Sequence, residues 1–404
     1  MLKGFFISVA IILIWIPVFS QVPPVVHVSF DSCTAVDEGT LGSSIAVAGE
    51  PECVCGLTGE SFYFDGERDG LAFDGKVNPL FDKDFTLEFY FSVYNMHNIT
   101  DLLSFKNKCV SDSSFSLQYL PTIKELRFLV KGPGHSSIEI DVKVDDSKCW
   151  YHLAIIRQEY EFYLFLDGKI AGQGHADREY FFAKDNVLAI AGNPCLEEPG
   201  SNFRRFKGRI DEFKIYDRAL TGLQLSQTEI PADRILNRDT TIFLGSSIQI
   251  KMGPTCADNF TWSHPDDLDD PHSLTPVITP KKSTKYLLFL LMDGKACADS
   301  IFIHVQDKDS LDCSKLLLPS AFTPNGDGLN DVFYISNKFI IEKLDFFDIF
   351  DRTGSRVFHT TDINEGWDGN YKNSKLNPAK FVYKVRYTCN EKEYTKQGIV
   401  NLLR

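Results

Sequence analysis

Two carboxylates, Glu139 and Asp141, stand two residues apart in the run EIDVKVDD (139–146). Paired carboxylates at this spacing could be part of a catalytic site. A retaining glycoside hydrolase needs two carboxyl groups about 5–5.5 Å apart, and strand signatures of the form E-x-D-x-E or E-x-D-x-x-E supply them. Here the third carboxylate would fall at Lys143 or Val144, so the signature is incomplete. Because the run also alternates apolar and polar side chains, it predicts an amphipathic strand without a catalytic role.

Other catalytic motifs are absent from the sequence. There is no G-x-S-x-G elbow and no H-E-x-x-H helix, and the nine histidines show no metal-ligand spacing. We therefore predict that the protein is not an enzyme, with no catalytic and no cofactor-binding residues.

A pair of aspartates forms the candidate metal site. Strand parity in FKGRIDEFKIY places Asp211 on the apolar face with Phe213 and Ile215. An unpaired charge buried there is very costly, and calcium, which binds carboxylate and carbonyl oxygens, would balance it. Asp31, at the end of the first predicted strand, comes near if the two ends of the domain meet. The alternative is that Asp211 only accepts backbone hydrogen bonds at a loop edge.

Two other acidic runs favour loops over metal sites. In TPNGDGLND, Asn325, Asp327 and Gly328 match the calcium-loop pattern, but Thr323 and Tyr334 occupy ligand positions. Consecutive Asn-Gly and Asp-Gly steps are typical of tight turns. The cluster of aspartates at 266, 267, 269 and 270 is interpreted as a solvated loop.

Composition limits the class of protein. A chain of 404 residues is expected to hold two to four domains. Its 33 Phe and 15 Tyr against 4 Met fit pleated strands better than helices. The net charge of −13 and the scattered basic residues argue against nucleic acid as a partner, since phosphate binding needs a basic footprint.

The N-terminal residues have the pattern of a signal peptide. Lys3 is the only charge in residues 1–20, and an apolar stretch from Phe5 to Phe19 ends at Pro17 and small residues. An uncleaved membrane anchor is the alternative; no later segment is apolar enough to span a membrane, so we predict none after cleavage. Export would place the ten cysteines in an oxidising compartment, where disulfides persist. Cys53 and Cys55 form C-x-C, which does not match the C-x2-C spacing of zinc sites.

Short alternating strands with Gly and Asp turns run from residue 25 to residue 222. The ordered phrases VHVSFD, SFYFDGERDGLAF, DFTLEFYF, CWYHLAIIR, YLFLDGKIAG and FKGRIDEFKIYDRAL resemble the laminin-G-like, concanavalin-type jelly-roll family. The resemblance implies two curved antiparallel sheets whose last strand returns beside the first. Carbohydrate binding is common in this fold, although fold does not fix function.

Two further segments follow a polar linker predicted at 223–237. Residues 238–307 resemble immunoglobulin-like domains of the polycystic-kidney-disease type, carried by Gly245, Trp262 and Tyr286 among others. Trp262 falls mid-strand, where a buried Trp anchors such sandwiches, and Cys256 with Cys297 could staple this domain.

The last segment, 313–404, contains LPSAFTPNGDGLNDVF, FFDIFDRTGSRVF and GWDGNYKNSKLNPAKFVYKVRY. From about residue 318 it resembles the gliding-motility-associated C-terminal sorting domain of type IX secretion cargo. Cys313 and Cys389 flank much of this domain and are its natural pair.

The sequence thus predicts an all-β protein: a jelly-roll sandwich, an immunoglobulin-like sandwich and a small C-terminal β-sandwich. We expect a non-catalytic binding or adhesion protein, secreted or on the cell surface, that binds a glycan or a surface protein. Its export partner would be the type IX machinery, and calcium is the one expected ion. The alternatives are a secreted polysaccharide-acting hydrolase using the jelly roll, and a structural component of a surface complex.

Overall fold

The computed structural model describes residues 22–94, 97–109, 111, 113–134, 137–145, 147–197, 204–324, 330–372 and 374–403. The predicted signal peptide at 1–20 and the residues Asn325, Asp327 and Gly328 lie outside them. Strands make up 48% of the structure and helices 7%, so the predicted all-β class is confirmed. The chain forms two compact units. The first is the described chain up to Arg234 with Gly253–Phe260 and Phe289–Asp299; the second is the remainder.

Fifteen strands occupy the N-terminal part of the first unit. They are β1 Val26–Val28, β2 Ile45–Ala48, β3 Glu52–Cys55, β4 Glu60–Asp65, β5 Gly70–Phe73, β6 Phe85–Val93, β7 Thr100–Lys106, β8 Ser114–Leu120, β9 Glu125–Lys131, β10 Ile138–Lys143, β11 Tyr151–Gln158, β12 Glu161–Leu166, β13 Lys169–His175, β14 Val187–Ile190 and β15 Lys207–Tyr216. Short 3-10 turns lie at Asp31–Cys33, Gly75–Leu80 and Pro194–Glu197.

These strands form two antiparallel sheets. Sheet A has the order β13-β12-β11-β6-β15-β4-β3, with β1 also paired to β15, and sheet B has the order β10-β9-β8-β7-β14-β5-β2. Phenylalanine-rich faces of both sheets form one core, in which Phe89, Phe115 and Phe213 are almost fully buried. Val28 pairs with Phe213 across β1 and β15, so the last strand returns beside the first, as the jelly-roll resemblance implies.

One helix covers part of the outer face of sheet A. Helix α1 is Gly222–Thr228, and Thr221 and Gln224 form a capping box at its N-terminus. Its residue Leu225 is fully buried against Ile156 and Tyr216. Most of α1 falls in the segment predicted as linker, so the start of that segment packs on the jelly roll.

All ten cysteines are in disulfides. The five pairs are Cys33–Cys53, Cys55–Cys256, Cys109–Cys195, Cys149–Cys297 and Cys313–Cys389. The predicted Cys313–Cys389 pair is confirmed, but the predicted Cys256–Cys297 pair is wrong. Residues 253–260 and 289–299 belong to the first unit, where the Ala298 N–H donates to the Ser147 carbonyl at 2.9 Å. These tertiary contacts bring Cys256 next to Cys55 and Cys297 next to Cys149, and each pair forms a disulfide.

Peptide mapping of the unreduced secreted protein is expected to yield linked peptides containing Cys55–Cys256 and Cys149–Cys297. The four cysteines should resist alkylation until a reductant is added, because each is bonded in the folded chain. A Cys256–Cys297 peptide as the main species would contradict this connectivity.

The following segment contains six strands. They are β16 Thr240–Phe243, β17 Ile248–Gln249, β18 Asn259–Trp262, β19 Val277–Ile278, β20 Thr284–Met292 and β21 Lys295–Gln306. They form a sheet in the order β16-β21-β20-β18 and a separate β17-β19 pair. Trp262 is buried as predicted, but it is the last residue of β18 and not mid-strand. Its indole N–H donates to the Ser273 carbonyl at 3.0 Å. The immunoglobulin-like assignment itself stays a prediction.

Seven strands form the C-terminal domain. They are β22 Ala321–Phe322, β23 Lys343–Phe350, β24 Arg356–Thr360, β25 Asn370–Tyr371, β26 Ser374–Lys375, β27 Ala379–Cys389 and β28 Lys392–Leu402. Five of them form a sheet in the order β22-β28-β27-β23-β24, and β25 pairs with β26. Trp367 is buried against Phe322 and Phe381, with ring centroids 5.3 and 4.8 Å away.

Candidate binding groove and candidate cation site

A row of small side chains crosses the outer face of sheet B. Ala46 pairs with Ala72, Ala72 with Ala189, and Ala189 with Ser104, on four neighbouring strands. The intervening residues of these strands, such as Leu71 and Leu188, belong to the core. Since side chains alternate along a strand, the row points away from the core. It lies in a cavity of about 320 Å³, which we call the sheet-B groove, and this volume lies within the roughly 300–1,000 Å³ range typical of small-molecule sites.

Polar side chains complete the lining of the groove. They are Lys106, Asn107, Asn193 and Arg205, together with the Ser104 hydroxyl. The Arg205 guanidinium lies close to two glycines of the groove. A Cβ on Gly70 or Gly192 would stand 3.1 or 3.4 Å from an Arg205 terminal nitrogen.

Lys106 is held by a carboxylate below the groove. Its Nζ lies 3.2 Å from Asp101, which also accepts a hydrogen bond from Gln118 at 2.9 Å. Asp101 is 1% exposed and does not line the groove, and burial raises its pKa. Lys106 is itself only 7% exposed, so this ion pair is a buried support of the groove floor.

Covalent and hydrogen bonds fix the loops at this end of sheet B. The Cys109–Cys195 disulfide joins the segment after β7 to the turn at Pro194–Glu197. The Ser104 hydroxyl donates to the Gly192 carbonyl at 2.7 Å. The Asn107 amide nitrogen donates to Asp185 at 2.8 Å, whereas its buried Oδ1 has no partner within the described structure. This oxygen is an acceptor that a bound ligand can satisfy.

The carboxylate run at 139–145 is not part of this groove. Ile138, Ile140 and Val142 point into the core, which confirms the predicted amphipathic strand. On the outer face, Arg127 binds both Glu139 at 2.9 Å and Asp141 at 2.8 Å. The two carboxylates thus have a structural ion-pair partner.

The structure brings the two predicted metal ligands to one turn, residues 56–60, between β3 and β4. Asp211 accepts from the Leu57 N–H at 2.7 Å, and Asp31 accepts from the Glu60 N–H at 3.0 Å. The parity argument for Asp211 is nevertheless wrong. A bulge between Asp211 and Lys214, with Glu212 at φ 51°, shifts the alternation, so Ile210 and Phe213 both face the core. Asp211 is fully buried against the turn and not beside Phe213.

The side-chain pKa values of the two acidic residues of this bulge, Asp211 and Glu212, are shifted in opposite directions. Burial raises the pKa of Asp211 to about 8, and the charges of Glu212 and Asp31 add to the shift. Burial also opposes ionisation of Glu212, but its hydrogen bond with His27 and the charge of Lys214 lower its pKa to about 2. Asp211 is therefore a buried carboxyl that lacks a neighbouring cation among its strongest interactions.

Side chains alone do not form a complete metal centre here. The described part of the chain contains no group of three or more His, Cys, Asp or Glu placed to hold a metal ion. Calcium at Asp31 and Asp211 would therefore need backbone carbonyls or water for its other ligands.

The groove itself was not predicted from the sequence. Its signal was present as small residues at outward positions of IAVA, GLAF and VLAI. The cross-strand register that aligns those residues depends on strands far apart in sequence, and no local pattern specifies it.

Two family models match the chain. Residues 65–226 match the concanavalin A-like lectin/glucanases superfamily, and residues 316–402 match the CHU_C type IX secretion signal domain. No curated protein matched the chain. The protein therefore carries a lectin-type jelly-roll domain and a type IX secretion signal domain, which implies export to the cell surface or secretion. Across the described residues, no helix has the length and hydropathy to span a membrane.

A comparison with solved structures found matches that share little sequence with this chain. The binding domain of botulinum neurotoxin DC in complex with SialylT has a TM-score of 0.43 at 8% identity, covering 94% of this chain and 93% of that one. Domain 4 of the arabinanase AbnA from Geobacillus stearothermophilus, in complex with arabinotriose, has a TM-score of 0.36 at 19% identity, covering 51% and 97%. A Trypanosoma rangeli sialidase has a TM-score of 0.37 at 14% identity, covering 50% and 32%.

Proposed function

We propose that the protein is a non-catalytic glycan-binding protein of the cell surface or the secreted fraction, and that the sheet-B groove is its binding site. The observation that carries this proposal is the row of small side chains Ala46, Ala72, Ala189 and Ser104, bordered by polar side chains. Small-molecule sites combine a mostly apolar surface with a few placed polar groups.

The chemistry of the groove suits a sugar ring. A pyranose ring has C–H groups on its faces and hydroxyl groups around its edge. The alanine methyl groups form an apolar surface against which a face of the sugar ring can pack. The Asn107 Oδ1, which is buried and has no partner in the described residues, can accept a hydrogen bond from a sugar hydroxyl. Satisfying that acceptor adds to binding because an unpaired buried polar atom costs about 1–3 kcal/mol.

Binding is favoured over hydrolysis by the composition of the groove. Hydrolysis of a glycosidic bond needs two carboxyl groups on either side of the bond. The described residues that line the groove include neither aspartate nor glutamate. Glu139 and Asp141, the nearest approach to a catalytic signature in the sequence, are occupied by Arg127.

Filling the groove is expected to weaken glycan binding. In Ala72→Phe the ring would lie across the row, and since Ala72 faces away from the core, the fold should be retained. The secreted protein would be screened on a glycan array, and affinity for the strongest ligand measured by calorimetry. We expect an affinity loss of about tenfold or more, because the ring removes contacts worth at least about 1.4 kcal/mol.

Ala171→Phe is the matched control, since Ala171 is an exposed alanine on β13 of sheet A. It should leave affinity unchanged. Equal losses in both variants, or a protein that binds nothing on the array, would contradict the proposal; capture of a protein ligand unaffected by Ala72→Phe would place the function elsewhere.

A calcium ion held by Asp31 and Asp211 is the second part of the proposal. Support comes from the burial of Asp211, the raised pKa of its carboxyl and the approach of Asp31 to the same turn. A bound cation would keep Asp211 ionised at neutral pH and hold the 56–60 turn against β15. Its role would be to stabilise the jelly roll and not to contact the groove ligand.

A further inference from the structure

We infer that Lys106 and Asn193 form an intramolecular isopeptide bond beneath the sheet-B groove, with Asp101 as the group that moves the protons. The bond joins the Nζ of Lys106 to the Cγ of Asn193 and releases the Asn193 side-chain nitrogen as ammonia. It ties β7 to the loop after β14. This modification goes beyond the proposed glycan binding and does not depend on it.

The three side chains lie together at the floor of the groove. The Lys106 Nζ is 3.2 Å from an Asp101 carboxylate oxygen, and the Asn193 side chain interacts with the same carboxylate. The backbone brings Asn193 there because the Ala191 N–H donates to the Leu102 carbonyl at 3.0 Å, which carries the chain past the start of β7. Two groups that contact one carboxylate are within about 6 Å of each other. A change of side-chain rotamer is then enough to bring the amine to the amide carbon.

Burial gives this cluster surroundings of low polarity. Lys106, Asp101 and Asn193 are 7%, 1% and 9% exposed. Burial raises the pKa of Asp101, against the opposing effects of Lys106, Gln118 and Asn193. Such surroundings disfavour separated charges, so they favour transfer of a proton from the ammonium group to the carboxylate. That transfer leaves a neutral amine, which is the nucleophilic form of lysine.

The amide of Asn193 is arranged as an electrophile. Its Oδ1 accepts a hydrogen bond from the Cys195 N–H at 2.6 Å. A backbone N–H in this position stabilises the negative charge that develops on the oxygen when a nucleophile adds to the carbonyl carbon. The Asn193 Nδ2 influences the Asp101 carboxylate but is a buried donor without a well-formed hydrogen bond in the described residues. The nitrogen that must leave is therefore the less firmly held end of the amide.

The reaction balances with these three side chains. The Lys106 ammonium group gives one proton to the Asp101 carboxylate, and the neutral Nζ attacks the Asn193 Cγ. A second proton passes by way of Asp101 to the Asn193 Nδ2, the Cγ–Nδ2 bond breaks, and ammonia leaves. The Nζ keeps the third proton as the amide N–H, and Asp101 ends as a neutral carboxyl group. The reaction needs neither an oxidant nor an external reactant.

Pro194 closes the usual alternative for loss of ammonia at an asparagine. A succinimide forms when the backbone nitrogen of the following residue attacks the asparagine Cγ, and proline has no N–H to lose. Loss of ammonia at Asn193 therefore reports attack by a side chain.

The test is peptide mapping of the secreted full-length protein after reduction and alkylation, which removes the nearby Cys109–Cys195 link. Trypsin does not cut after a lysine whose Nζ is in an amide. We expect one branched peptide made of residues 84–108 and 185–204, lower in mass by one ammonia than the two peptides together. Separate, unmodified peptides 84–106 and 185–204 from the folded protein would overturn the inference.

Lys106→Arg is expected to abolish the cross-link, because it keeps a positive charge beside Asp101 but a guanidinium stays protonated and is not nucleophilic. Lys108→Arg, on an exposed lysine, is the matched control and should keep the branched peptide. Asp101→Asn should abolish the cross-link although both joined residues remain, because an amide cannot take the proton. Melting curves would show that each variant is folded.

The variants test the two assigned roles separately. A branched peptide that persists in Asp101→Asn would overturn the role of Asp101 in proton transfer. A cross-link to Asn193 that persists in Lys106→Arg, or one lost equally in Lys108→Arg, would overturn Lys106 as the nucleophile.

Discussion

Removal of residues 318–404 is expected to leave the rest of the chain in the periplasm of a host with a type IX secretion system. The removed segment contains almost the whole type IX secretion signal domain matched at 316–402. The predicted signal peptide at 1–20 would still direct export to the periplasm, but the outer-membrane step would have no signal. Immunoblots of periplasm, cell surface and culture medium would measure the distribution, and we expect the extracellular signal to fall to background.

The design of the truncation matters because Cys313 is bonded to Cys389. Cutting at residue 318 leaves Cys313 unpaired, and a free thiol in an oxidising compartment can form wrong disulfides and retain the protein by itself. The truncated chain should therefore also carry Cys313→Ser. The full-length chain with Cys313→Ser and Cys389→Ser is the control for loss of the disulfide. Truncated protein outside the cell at the full-length level would contradict the prediction.

Most of the architecture followed from local patterns. In FYLFLDGKIAG the strand β12 ends at Leu166, and Asp167 and Gly168 turn with φ of 51° and 72° before β13 begins. Such Asp-Gly turns with positive φ are specified within four residues, so the sequence alone can predict them. The alternation in DFTLEFYFSV likewise predicts that Phe85, Leu87, Phe89 and Phe91 share one face of a strand, and all four belong to the core.

The parts that were not predicted depend on contacts between distant residues. Cys256 bonds to Cys55, 201 residues earlier, so the nearer Cys297 was the wrong partner. The bulge at Asp211 and Glu212 adds one residue to β15 against β6 and reverses the side-chain alternation. The groove needs Ala46, Ala72 and Ala189 in register. In each case the local sequence allows several arrangements, and packing selects one.

Asp211 is expected to make the metal-free jelly roll less stable as the pH rises. The ordinary pKa of an aspartate side chain is 3.8, whereas that of Asp211 in the folded protein is about 8. The folded state thus binds a proton that the unfolded state has released, so the free energy of unfolding falls between about pH 4 and pH 8. At about 1.4 kcal/mol per pKa unit, the change is on the order of several kcal/mol.

The measurement is the free energy of unfolding in EDTA across this pH range, for the wild type and for Asp211→Asn. The difference between the two should change with pH, because asparagine has no proton to lose. Glu212 contributes only at the acid end of this range, since its lowered pKa of about 2 makes stability fall as the pH falls from about 4.5 towards 2. A difference that stays constant from pH 4 to pH 8 would show that Asp211 is ionised without a metal.

Calcium should reverse the sign of this effect if it binds at Asp31 and Asp211. The ion replaces the proton on Asp211, so millimolar calcium would stabilise the wild type most near pH 8 and least near pH 4. A ligand at a hundredfold excess over its Kd stabilises the folded state by about 2.7 kcal/mol. Asp31→Asn and Asp211→Asn should each remove that gain, whereas Asp141→Asn, on an exposed residue of β10, should keep it. Identical melting of the wild type in calcium and in EDTA at pH 8 would exclude the ion and leave Asp211 as a structural carboxyl that accepts a hydrogen bond from the 56–60 turn.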